Sequence, residues 1–138
     1  MQSLKVLITE DSISDAELVL YELRRAGYDV QATRVDTEAD FRRNLTPDVE
    51  VILADYVMPQ FDAIQALNVL RESRLDTPFI IVSGSISEEL AVEAMKQGAA
   101  DFVMKPFSLD DLEGVVKNVL ERGQEPEPAG EGAPETAG

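Results

Sequence analysis

The 138-residue chain is long enough for one domain with a real core and too short for two ordinary ones, and 44% apolar with 28% charged residues is a globular balance. It contains no cysteine and no histidine, which removes disulfides, thiolate zinc sites, Ser-His or Cys-His catalysis and any phosphohistidine of its own. The formal net charge of -15 repels phosphate backbones and anionic membranes, and no apolar run approaches the ~20 residues that span a bilayer, so a cytoplasmic protein with no nucleic-acid and no membrane partner is expected.

Residues 4–8, LKVLI, are short, apolar and branched, as a buried strand requires. From Asp15 to Ala26 the period changes. Ala16, Val19, Leu20 and Leu23 fall at helical spacing, Ser14 and Glu17 have capping-box spacing, and Gly27 supplies a stop. DVQATRV, 29–35, reads as a more exposed strand, and Thr37 to Leu45 as a short helix closed by Thr46-Pro47. VEVILA, 49–54, is the third strand, and a helix follows from Asp62 to about Arg71 with Ile64, Leu67 and Leu70 on one face. PFIIVS, 78–83, is the fourth strand. Ser87 to Gln97 is a helix with Leu90, Ala91, Ala94 and Met95 on one side and Gly98 at its stop. DFVM, 101–104, is the fifth strand, and Ser108 to Glu121 the fifth helix, with Leu112, Val115, Val116, Val119 and Leu120 facing inward.

Five strands alternating with five helices predict an α/β fold, a doubly wound parallel sheet covered on both faces. Residues 1–122 hold this pattern. From 123 to 138 the chain reads GQEPEPAGEGAPETAG, without apolar period, as an acidic Pro/Gly-rich disordered tail or a linker remnant.

In such a sheet the ligand site lies beyond the carboxyl ends of the strands. There the chain places Glu10 and Asp11 after strand one, Asp55 after strand three, Ser83 and Gly84 at the end of strand four, and Lys105 before Pro106 after strand five. Singly each is ordinary: an acidic pair is commonly a solvated turn, a lysine before proline a surface residue, and Ser-Gly a loop. All of them at one sheet edge are hard to assign to chance. Three close carboxylates repel unless a cation sits among them, and an oxygen-rich site of this kind suits Mg2+. Asp55 is then a candidate nucleophile toward phosphorus. Lys105 would pair with phosphoryl oxygens, Ser83 would donate a hydrogen bond to one, and Gly84 would leave room and offer its N–H.

The ED pair at 10 and 11, DYVMP at 55–59, SG at 83 and 84, and GAADFVMKPF at 98–107 resemble the receiver domain of two-component response regulators. The resemblance runs from residue 4 to about 121. It implies the strand order 2-1-3-4-5, phosphorylation of Asp55 by a sensor histidine kinase or histidine phosphotransfer protein, and Mg2+ held by Glu10, Asp11, Asp55 and the Val57 backbone carbonyl. Lys105 and Ser83 become the phosphoryl-sensing pair. Phe102, on its residue type alone a core side chain, becomes the aromatic switch, coupled to the face made by the fourth helix, fifth strand and fifth helix, where a downstream protein docks. The Lys105-Pro106 bond is commonly cis in the family, and a phosphorylation-dependent homodimer is left open.

Some positions depart from the family's commoner pattern. Glu10 replaces Asp and is expected to reach the metal through water, and Ala63 stands where glycine is frequent. Val57 and Ser85 occupy the positions that tune dephosphorylation, and Val57 has no group to orient a water, so a long-lived phosphoryl group is expected. With no second domain after residue 121, a stand-alone, non-enzymatic signalling receiver is the leading expectation. The alternatives are a pseudo-receiver scaffold that never carries phosphate and an Asp55-nucleophile, Mg2+-dependent phosphohydrolase, whose general-acid Asp is replaced by Val57. A flavin binder is opposed by the two charges of the TEDS loop.

Overall fold

The computed structural model describes residues 2–56, 58–84, 87–104 and 109–124. Its elements are β1 (Gln2–Thr9), α1 (Ile13–Arg25), β2 (Tyr28–Val35), α2 (Glu38–Asn44), β3 (Val51–Ala54), α3 (Ala63–Ser73), β4 (Phe79–Ser83), α4 (Glu88–Lys96), β5 (Asp101–Met104) and α5 (Leu109–Gln124). The strands pair in parallel in the order β2-β1-β3-β4-β5, the α/β architecture and strand order expected.

Alternation along the strands feeds two cores, because successive side chains leave a strand on opposite faces. Val6, Ile8, Val51, Leu53, Ile80, Val82 and Val103 pack with Ala16, Val19 and Leu23 of α1 and Leu112, Val116 and Val119 of α5. On the other face, Leu7, Ile52, Ala54, Phe79 and Ile81 meet Phe41 of α2, Ala66, Leu67 and Leu70 of α3, and Ala91 and Ala94 of α4. All four residues of β3 are buried, as a central parallel strand must be. The loop after β3 is pinned by Phe61, fully buried against Phe41 with ring centroids 5.3 Å apart.

Caps set the helix starts. Thr37 and Ser87 each accept an N–H from three residues on, and Asp62 forms a capping box with Gln65, which leaves Ala63 as the buried first residue of α3. Gly27 and Gly98 take φ of 104° and 119°, a region where a Cβ is strained, and so serve as the stops expected of them. At α1 the structure corrects the sequence reading. The cap is Ser12, whose Oγ accepts the Asp15 N–H at 3.2 Å, and Ser14 lies inside the first turn.

α4 brings a second correction. Of the apolar side expected of it, Leu90, Ala91, Ala94 and Met95, only the two alanines are buried, while Leu90 and Met95 are 42% and 40% exposed. At ~100° per residue the inward direction lies midway between Ala91 and Ala94. Leu90 and Met95 fall on the two margins of that stripe, and small alanines let the helix sit close enough to the sheet to leave the larger side chains outside.

Candidate functional site

The ladder that builds the sheet also builds the site. Thr9 and Ala54 are register partners at the ends of β1 and β3, and the Asp55 N–H donates to the Thr9 carbonyl at 2.9 Å. On the other side of β1, the Glu10 N–H donates to the Val35 carbonyl at 3.1 Å. The residues just past the two strands are therefore still held by main-chain hydrogen bonds, and their carboxylates are held with them.

Carboxylate oxygens of Glu10, Asp11 and Asp55 all lie within 4.8 Å of one another. Glu10 is buried, Asp55 half-buried and Asp11 exposed, so the trio opens from the sheet edge to solvent. Two like charges ~4 Å apart repel by about 4 kcal/mol at an effective dielectric of ~20, and three negative groups at this spacing favour a cation among them. Mg2+ takes oxygens at about 2.1 Å, which puts trans ligands ~4.2 Å apart. A separation of up to 4.8 Å reaches slightly past that, so the trio could hold one hard cation with water supplying part of the shell and bridging to a carboxylate where the reach is longest. The Glu10 carboxylate also accepts the Ser12 N–H, at 3.3 Å.

Ser83, the last residue of β4, is buried at 1% exposure and pairs in register with Met104 of β5. Since Ala54 is the partner of Ile81, Ser83 stands at the same edge as Asp55, one strand over. Gly84 follows in an exposed bend. Phe102, the partner of Ile81, is half-buried and packs against the core beneath α4. The structure thus brings Glu10, Asp11 and Asp55 together and sets Ser83, Gly84 and Phe102 on the adjoining strands. Val57, Ser85, Lys105 and Pro106, and residues 125–138 of the expected tail, lie outside the described residues.

Sequence reasoning missed Arg34. At the end of β2, its Nη1 donates to the Glu10 carbonyl at 2.9 Å and stands 3.7 Å from Asp36 Oδ2. Asp36 and Asp11 line a cleft of about 120 Å³ with Met58, Pro59 and Gln60. A larger cleft, about 360 Å³, lies away from the trio among Pro47, Val49, Leu75 and Pro78.

The family model described as the response regulator receiver domain matches residues 6–117. The alkaline phosphatase synthesis transcriptional regulatory protein PhoP of Bacillus subtilis (strain 168) is 32% identical over 127 residues, covering 92% of this chain and 52% of that protein. Among solved structures, the Francisella response regulator 1452 receiver domain is 33% identical with a TM-score of 0.73, over 87% of this chain and 98% of that one. The Vibrio cholerae chemotaxis protein CheY4 is 28% identical with a TM-score of 0.72, over 86% and 99%. The chain spans about half the length, or less, of the curated relatives it matches.

Proposed function

The chain belongs to the response regulator receiver domain family, and we propose that it takes a phosphoryl group onto Asp55 from a phosphohistidine donor and passes the signal on through protein contacts. The donor is a sensor histidine kinase or a histidine phosphotransfer protein. The observation that carries this reading is the convergence of the Glu10, Asp11 and Asp55 carboxylates within 4.8 Å at the carboxyl ends of β1 and β3.

In the transfer, an Asp55 carboxylate oxygen attacks phosphorus, the phosphorus–nitrogen bond of the donor breaks, and its electron pair stays with the leaving imidazole. The products are an acyl phosphate on Asp55 and a free histidine on the donor. Mg2+, when bound, neutralises the charge that gathers where phosphoryl oxygens meet carboxylates. Glu10, Asp11 and Asp55 would hold it, with the Val57 carbonyl. Asp55 itself is aimed by its N–H bond to Thr9. The Ser83 hydroxyl and the Lys105 ammonium receive phosphoryl oxygens, with the Gly84 N–H beside them. Hydrolysis returns the carboxylate when water attacks phosphorus. Val57 offers no side-chain group to orient that water, so the phosphoryl group is expected to persist.

The signal leaves through α4, β5 and α5. Exposed Leu90, Val92 and Met95 on α4 and Met104 on β5 support a docking surface there for a downstream protein, with half-buried Phe102 behind it to couple the surface to Ser83. Large apolar side chains left exposed on these elements suit a protein partner, which includes a second phosphorylated copy.

The test is incubation with Mg2+ and acetyl phosphate, read by intact mass. Wild type is expected to gain one phosphoryl group, while Asp55→Asn, and wild type in excess chelator, gain none. Equal labelling of wild type and Asp55→Asn sinks the assignment.

A further inference from the structure

Glu10 is tied to β2 through both of its main-chain polar groups. Its N–H reaches the Val35 carbonyl at 3.1 Å, and its carbonyl receives Arg34 Nη1 at 2.9 Å. Its carboxylate takes the Ser12 N–H, and the residue is 3% exposed. Three bonds from three residues therefore fix the turn that presents Glu10 and Asp11. Two come from backbone groups; the third comes from a side chain, the Arg34 guanidinium, and is lost when that residue changes. Asp36 stands 3.7 Å from the same nitrogen, which orients the fork, and Asp36 shares a cleft with Asp11.

We propose that Arg34 is a positioning residue for the acidic site, holding the turn after β1 so that the Glu10 and Asp11 carboxylates meet Asp55 at cation-binding distance. The proposal rests on the phosphoacceptor reading. Charge and position make opposite demands here. A guanidinium beside three carboxylates repels a divalent cation, so losing its charge alone tightens Mg2+ binding. Losing the turn weakens it. The Arg34 side chain is 33% exposed, so its charge is largely screened by water, whereas its hydrogen bond to a buried residue's carbonyl is directional and charge-assisted. Position is the larger effect. Residues that orient metal ligands typically change affinity ~10–100-fold, and a bond to the main chain of a ligand belongs at about the lower end of that range.

The full chain is titrated with Mg2+ by calorimetry as wild type, Arg34→Met and Arg34→Lys, and amide hydrogen exchange is followed without metal. In Arg34→Met the Mg2+ dissociation constant is expected to rise about 10-fold, with faster exchange at Glu10, Asp11 and Ser12. Arg34→Lys keeps the charge but loses the planar fork, and is expected between wild type and Met; it still reads the effect if the Met variant fails to fold. Unchanged or tighter Mg2+ binding in both variants overturns the proposal. A wild type that binds no Mg2+ overturns the phosphoacceptor reading, and the role of Arg34 with it.

Discussion

Thr9 sits at the end of β1 with 0% exposure, and its Oγ1 has no hydrogen-bond partner among the described residues. A buried hydroxyl left in this state costs about 1–3 kcal/mol. Valine has the same branched shape and the same strand preference, so Thr9→Val removes the stranded oxygen without opening a cavity. The variant is expected to be more stable by about 1 kcal/mol or more, seen as a higher urea midpoint at unchanged m. A midpoint that stays or falls means that the hydroxyl is bonded in solution. Thr9, Arg34 and Asp55 also show what a sequence conveys at this scale. Asp55 stood out because four apolar residues run into it, a pattern carried by neighbours in the chain. Thr9 fell just past the strand expected at 4–8 and read as the first residue of the TEDS loop, whereas β1 runs through it. Arg34 read as an exposed strand cation, because its partner is 24 residues away and becomes a partner only when β2 pairs with β1.

Elements were read correctly where one period dominated, and their edges failed where two patterns overlapped. At α1 both Ser12 and Ser14 have an acid three residues on, so the spacing suits either as cap. The helix takes Ser12 because it begins at Ile13, with Ser12 still extended at φ -90° and ψ 113°. Ser12→Ala is therefore expected to cost about 1 kcal/mol. Ser14→Ala, at an exposed first-turn position, is expected to cost less than ~0.5 kcal/mol. Paired thermal melts measure both, and the reverse ranking would restore Ser14 as the cap. The face of α4 was misread for a related reason. Four apolar residues look like one stripe, but two alanines set its centre, and the sequence does not say how close a helix approaches a sheet. Strand order is a further step removed. Periodicity implies a parallel sheet with helices on both sides, whereas the order β2-β1-β3-β4-β5 followed from motif resemblance and is now seen in the pairing.

The net charge of -15 can be counted from the sequence, but where it acts depends on the fold. Tyr28 begins β2, buried at 9% exposure, in a cleft shared with Glu113, Lys117 and Glu121 of α5. Its phenol is raised above the ordinary 10.0, first by burial and then by the negative charges of Glu113 and Glu121. The folded chain therefore keeps this proton after the unfolded chain has lost it. The associated stability is fully present below the unfolded value near 10.0 and is lost as pH rises through the folded one. Other groups and the overall self-repulsion of an acidic chain add a background slope of their own. Tyr28→Phe keeps the ring in the core and removes the titrating group. Urea midpoints followed from about pH 8 to 11 should fall less steeply in Tyr28→Phe than in wild type, with the two curves running parallel below about pH 9. Equal slopes at the alkaline end would place the loss of stability in the acidic surface as a whole, and would remove the contact between β2 and α5 as its cause.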